Sequence, residues 1–269
     1  MKKTVAIVAG GGQFPLLLAQ RAKELGYRVV VIGFSGQTDL GLKEGVDAYH
    51  QICLGQLGKL IKLLKKERAQ EVIFAGKIVK PKALWQIRPD LRALKLWRNL
   101  RNRHDDHLLR AVAKEMENEG LKIVSPTDYL THLLTPTGVL TKKGPTKEQY
   151  EDIIFGWAMA KAIGELDIGQ CVVVKERTVV AVEAMEGTDA TIRRAGELAK
   201  DTVVVKVCKP HQDQRLDLPS VGLKTIENMI AAQAKVLALE AKKSLFFDRE
   251  EALSLADEAG LVVIGIDDH

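Results

Sequence analysis

Val5-Ala-Ile-Val-Ala-Gly-Gly-Gly-Gln-Phe-Pro15 reads as a buried strand that runs through a glycine turn into a helix. Five apolar residues without a charge suit a strand covered on both faces. Gly10, Gly11 and Gly12 allow close backbone approach, and a helix N-terminus offers unpaired N–H groups to a phosphate or other polar ligand. The lysines at positions 2 and 3 give the start of the chain a superficial likeness to a signal peptide. Its apolar run is only about six residues and ends in glycines, which favours a first strand.

The same alternation continues outward. An amphipathic helix is expected from about Phe14 to Leu25, ended by Gly26, and Arg28 to Gly33 reads as a second strand. A basic helix over Leu57 to Lys66, a strand over Glu71 to Ala75, a helix over Asp105 to Asn118 and a short strand over Leu121 to Val124 follow. Ser125-Pro126 opens a further helical turn. This order predicts a Rossmann-like parallel α/β domain over residues 1–134. Turn-rich residues 135–149 read as a linker, and residues 150–269 as a second α/β domain with a mixed sheet. In the second half a helix is expected to about Gly164, then strands at Gln170 to Lys175 and Thr178 to Ala184. A helix from Thr188, a strand at Thr202 to Cys208, a helix from about Val221, a helix near Glu250 to Ala259 and a strand at Leu261 to Ile266 complete it. Two such domains predict a ligand cleft between them that opens and closes about residues 134–149.

Bulk properties narrow the function. The 269 residues are 46% hydrophobic and 28% charged, with a net charge of +5, a balance that suits anionic small molecules and argues against nucleic acid. Three scattered cysteines fit neither a disulfide framework nor a metal spacing, and point to a reducing cytoplasm. No apolar run reaches the roughly 18 residues of a spanning helix.

Charged motifs cluster after predicted strands. Gly10 to Gln13 departs from the dinucleotide fingerprint because Pro15 stands where its third glycine belongs, and the second strand ends in Gly33-Phe34-Ser35 with no acid for a ribose. A nicotinamide-dependent oxidoreductase is thereby disfavoured. Ala75-Gly-Lys77 repeats the arrangement, so Gly11, Gly12, Gln13, Gly76 and Lys77 should share one sheet edge as ligand contacts. Lys77 to Arg103 carries nine basic residues and one acid, with Trp85 and Trp97, and suits a lipid headgroup or acyl chains as well as an ordinary charged helix. His104-Asp105-Asp106-His107 is a weak metal motif, and Asp105 reads as a helix cap. Glu183-Ala-Met-Glu-Gly-Thr-Asp189 joins a strand to a helix bearing Arg193 and Arg194, a mixture suited to a magnesium–diphosphate. Asp167-Ile-Gly-Gln170 adds a polar turn. Lys209-Pro-His-Gln-Asp-Gln-Arg-Leu-Asp-Leu-Pro-Ser-Val-Gly222 packs Lys209, Asp213, Arg215 and Asp217 into one loop after a strand.

Together these segments, with Gly55-Gln-Leu-Gly58, resemble the LpxI family of UDP-2,3-diacylglucosamine diphosphatases along nearly the whole chain. Ser220 stands where that pattern has threonine, which retains a hydroxyl. The resemblance implies Mg2+-dependent hydrolysis, with Mn2+ as an alternative ion, of UDP-2,3-diacylglucosamine to UMP and 2,3-diacylglucosamine 1-phosphate (lipid X). It places the enzyme in lipid A biosynthesis in the cytoplasm of a Gram-negative bacterium, and is compatible with peripheral contact at the inner membrane and with a homodimer. The motifs of calcineurin-like phosphoesterases are absent, with six histidines in all. The family's catalytic aspartate falls on Asp217. Asp189 is the second catalytic candidate, and Asp217, Asp189 and Glu183 are the expected metal ligands. Gly11, Gly12, Gln13, Gly76, Lys77, Gln170, Thr188, Arg193, Lys209 and Arg215 are the expected substrate contacts, with Asp213 in a supporting role. A non-catalytic nucleotide-sugar or lipid-binding module is the alternative.

Overall fold

The computed structural model describes residues 2–78, 87–100 and 105–267, without the side chains of Asp105 and Asp106. The expectations for Trp85 and His104, and for the side chains of Asp105 and Asp106, lie outside the described residues. Two compact units emerge. Residues 1–131 and the short segment Asp213–Asp217 form one, and His132–Gln212 with Leu218–His269 form the other.

The first unit begins with β1 (Thr4–Ala9), α1 (Phe14–Glu24) and β2 (Arg28–Phe34). After them come β3 (Ala48–Ile52), α2 (Leu57–Lys66), β4 (Glu71–Ala75), α3 (Leu91–Asn99) and α4 (Asp105–Asn118). Its four strands are parallel in the order β3-β2-β1-β4. Every residue of β1 is buried, as its uninterrupted apolar run requires. Gly26 follows α1 with φ +82°, a left-handed conformation that costs glycine nothing. The core on one face joins Val30, Ile32, Leu60, Leu64, Met116 and Ile123 to Leu216, which arrives from far along the chain.

Glu71 is nearly buried at the start of β4. Burial alone would raise its pKa, but hydrogen bonds from Lys3, Tyr129 and Lys122 outweigh it and hold the carboxyl down at about 2. A depressed carboxyl pKa stabilises the fold fully above its ordinary value near 4.5, and the contribution fades as pH falls toward 2. Glu71→Gln should therefore flatten the acid limb of a stability-versus-pH curve in that window. The effect expected is about 2 kcal/mol, discounted because both lysines are largely exposed. Denaturant titration across the window checks it, and an unchanged acid limb would contradict it.

The second unit opens with β5 (Gly138–Val139), α5 (Lys147–Glu165), β6 (Cys171–Lys175), β7 (Thr178–Val182), α6 (Thr188–Leu198) and β8 (Val203–Lys206). It continues with β9 (Ser220–Val221), α7 (Leu223–Ala231), β10 (Val236–Glu240), β11 (Leu245–Phe246), α8 (Arg249–Glu258) and β12 (Val262–Ile266). Its main sheet is mixed, in the order β5-β12-β10-β8-β6-β7, and β9 and β11 form a small parallel pair. β8, β10 and β12 run parallel, while β5 and β6 run against their neighbours. Residues 135–149, read from sequence as a linker, are largely part of this unit. β5 pairs with β12, Thr135 is buried on Ser244, and Thr146 caps α5 through a capping box with Gln149. Among the described residues no helix is long and apolar enough to cross a membrane.

Candidate active site

In the first unit the glycine turns after β1 and β4 meet as their sequence positions demand. Gly11 N–H donates to the Lys77 carbonyl at 2.7 Å, and Lys77 N–H to the Gly11 carbonyl at 3.0 Å. A methyl group on Gly10 would stand 2.5 Å from the Lys77 oxygen, and one on Gly76, whose φ is +87°, 2.6 Å from the Gly11 oxygen. These two glycines are thus required for backbone packing at the carboxyl edge of the sheet. Gly12 and Gln13 are exposed beside them, and Gly12 faces open space. A cavity of about 500 Å³ lies at this edge, lined by Gly12, Gly36, Gln37, Thr38, Asp39, Leu40 and Gln51. Asp39 escaped notice in the sequence because it stands five residues beyond the end of β2.

The second unit gathers polar groups on the corresponding edge of its own sheet. Because β6 runs against β8, the start of β6 lies beside the end of β8, with Cys171 opposite Lys206. β7 returns to the same edge and is followed by Glu183, and β10 ends there at Glu240. The turn at Gly169 packs so tightly on the Glu183 backbone that a side chain there would collide with it. Glu183 is buried, and its two oxygens accept from the Thr188 hydroxyl at 2.9 Å and the Gln170 N–H at 3.3 Å. Gly187, with φ +79°, turns the chain into α6 and leaves that N-terminus without a side-chain cap. Asp189, in the first turn, accepts from the Thr225 hydroxyl at 3.2 Å. Burial, and then the negative charges of Glu183 and Asp189, push the Cys171 thiol pKa up, while Lys206 works in the opposite direction. These charged groups therefore share one neighbourhood around Cys171. In this unit the Gln170 side-chain oxygen and the Asn228 amide nitrogen are buried without hydrogen-bond partners among the described residues. Such orphaned atoms are uncommon in folded proteins.

Two residues that sequence reasoning passed over hold the ends of the 209–219 loop. Lys206 is almost wholly buried within β8 and donates to the Ser220 carbonyl at 2.7 Å. Glu240, fully buried, accepts from the Cys208 N–H at 2.8 Å, from Lys161 at 2.9 Å and from Lys243 at 2.8 Å. A charge inside an apolar strand pattern was the available signal for Lys206.

Within the loop, Asp217 is exposed between buried Leu216 and Leu218. Several expected contacts are already engaged. Arg215 grips Asp213 through two donors, at 3.0 and 2.7 Å, and Glu117 at 2.7 Å, so its guanidinium braces the turn within the first unit. Those bonds hold the Asp213 carboxyl below its usual range and push the Arg215 pKa up. Arg215, expected as a phosphate contact, is held here as a strut, with Asp213 as its counter-ion. Lys209 pairs with Asp167 at 2.6 Å, and the exposed Arg193 donates to the Asn228 side-chain oxygen at 3.0 Å.

Among the described residues no group of three or more His, Cys, Asp or Glu side chains is arranged to hold a metal. With both oxygens engaged, Glu183 suits orienting Thr188 better than ligating an ion. The donor chemistry of Asp189 and Asp217 fits Mg2+, which uses one or two carboxylates and fills its shell with phosphate oxygens and water.

Known proteins sharpen this picture. The profile of the LpxI N-terminal domain matches residues 4–133, and that of the LpxI C-terminal domain residues 136–264. A Caulobacter vibrioides protein named UDP-2,3-diacylglucosamine pyrophosphatase LpxI is 35% identical over 277 aligned positions, covering 98% of each chain. Among solved structures, a biotin carboxylase–β-γ-ATP complex from Campylobacter jejuni aligns at 12% identity and TM-score 0.28, over 74% of this chain and 42% of that one. An N5-carboxyaminoimidazole synthetase from Staphylococcus aureus complexed with ADP aligns at 18% identity and TM-score 0.25, over 69% and 42%. The chain spans less than half the length of either, and overlap so slight carries no argument. Two profiles that follow one another along the sequence, and a relative aligned almost from end to end, account for both units: the chain belongs to the LpxI family.

Proposed function

We propose that this protein hydrolyses the diphosphate of UDP-2,3-diacylglucosamine, giving UMP and 2,3-diacylglucosamine 1-phosphate, as a step in lipid A synthesis. The observation that carries this reading is the alignment, over 98% of both chains, with a protein named for that activity. The carboxylate- and lysine-bearing edge of the second unit supplies suitable chemistry.

In the reaction, water attacks one phosphorus and the bridging P–O bond breaks. The single bridging oxygen leaves with the other phosphate, the water's oxygen stays on the attacked phosphorus, and the proton given up by the water ends on the leaving phosphate or in solvent. Asp217, exposed on a loop held at both ends, is the carboxylate assigned to orient or deprotonate that water. Asp189 is the second acidic participant, and Glu183 positions Thr188 and the Gln170 amide. Lys209 and Arg193 are proposed phosphate contacts that exchange Asp167 and Asn228 for substrate oxygens. Gly11, Gly12, Gln13, Gly76 and Lys77 border the nucleotide or sugar phosphate, and Asp39 in the neighbouring cavity offers an acceptor for a hydroxyl. Asp217 in the first unit, or Asp189 in the second, would be the carboxylate to hold Mg2+, or Mn2+ in its place, whose chemistry would be to neutralise phosphoryl charge.

The test is direct. Purified protein incubated with UDP-2,3-diacylglucosamine and Mg2+ should release UMP, read by chromatography, and chelator should stop it. Binding of the substrate without UMP release under either Mg2+ or Mn2+ would instead identify a non-catalytic binding module.

A further inference from the structure

The first unit carries a helix whose outer face is built against the usual rule. α3 packs inward through Ala93 and Leu96, and Arg92 pairs with Glu115 and Glu119 of α4 and its following turn. Lys65 of α2 binds the same Glu119, so α2, α3 and α4 are fastened together. What remains outward on α3 is Leu91, Leu94, Lys95, Trp97 and Arg98, and Leu91 is 87% exposed. Scattered single apolar residues are ordinary on surfaces, but three on consecutive turns of one short helix form a patch. On α2, Lys62 lies on the stripe between Gly58, which approaches Arg92, and Lys65. Lys62, Lys95 and Arg98 are exposed and are not held by ion pairs to described residues.

We propose that this α2–α3 face docks on an anionic phospholipid bilayer. Leucine and tryptophan on one surface, with lysine and arginine interleaved, are the composition of helices that lie in the headgroup plane. The long basic side chains reach the phosphates while their stems and the apolar residues enter the acyl boundary. α2 has four lysines and no acid over Leu57–Lys66, and Asp90, between α2 and α3, is engaged by the Gly58, Lys59 and Ala93 amides, so positive charge predominates on this face. A second copy of this chain would meet the same positive face and be repelled, which favours lipid over self-association. The inference stands apart from the catalytic reading, because it needs neither substrate nor hydrolysis.

Co-sedimentation of the full chain with vesicles of phosphatidylcholine, alone or mixed with phosphatidylglycerol, tests it. Binding should favour the anionic vesicles by roughly tenfold or more and weaken in high salt. Lys95→Glu with Arg98→Glu should remove that preference, at about fivefold for each cation lost. Leu91→Ser and Trp97→Ala should each weaken binding, and Leu91 is exposed enough that its replacement leaves the fold intact, as circular dichroism would verify. No pelleting with anionic vesicles, or pelleting indifferent to all these variants, would overturn the proposal. So would light scattering showing that Leu91→Ser converts a dimer to a monomer while vesicle binding is unchanged.

Discussion

Asp217→Asn is expected to reduce UMP release by about a thousandfold or more while leaving substrate affinity within a few-fold. The residue is exposed, so exchanging its carboxylate for an amide removes no core packing and should leave stability within about 0.5 kcal/mol. A loss confined to kcat, with an unchanged melting curve, would place the carboxylate in the chemical step. Asp213→Asn separates this from general damage to the loop. It weakens the brace on Arg215, so it should lower stability and perturb KM and kcat together, by less. An Asp217→Asn protein that retains a tenth or more of its kcat would reject the assignment.

Glu240→Ala should have the largest effect on the second unit's stability. It removes the common acceptor of Lys161, Lys243 and the Cys208 N–H at the end of the central strand β10. Stranding partners of a buried carboxylate typically costs 3–5 kcal/mol; here about 2–3 kcal/mol is expected, because both lysines retain some access to water. Denaturant unfolding measures the loss. Glu240→Gln keeps an acceptor for Cys208 and should recover the loop's position better than the lysine pairing. Activity should therefore return further than stability does, and equal recovery of both would argue against a positioning role.

Much of the framework was legible because the signals were local. The uncharged run of β1 and the glycine after α1 each act within a few residues. The convergence of Gly10 to Gln13 with Lys77 followed from the parallel-sheet rule and is seen in their paired backbones. β10 was missed because Lys-Val-Leu-Ala-Leu-Glu-Ala favours a helix by intrinsic propensity, and burial between β8 and β12 overrides that preference. β3, with its Tyr-His-Gln centre, lies at the sheet edge where an apolar pattern is not required. The pairings of Arg215 with Glu117 and of Glu240 with Lys161 join residues 98 and 79 positions apart. Spacing along a sequence cannot disclose these, so Arg215 read as an unengaged cation and Glu240 drew no notice.

Leu216 has a consequence for the order in which the molecule is made. The first unit's core includes a side chain encoded well after the rest of that unit. On the ribosome, where domains tend to fold from the N-terminus as they emerge, residues 1–131 must wait for Asp213–Asp217 before their core is filled. The nascent first half is thus an unfinished intermediate through the synthesis of some eighty further residues. The same loop that bears Asp217 supplies its last piece, so maturation of the first unit and arrival of the assigned catalytic carboxylate coincide.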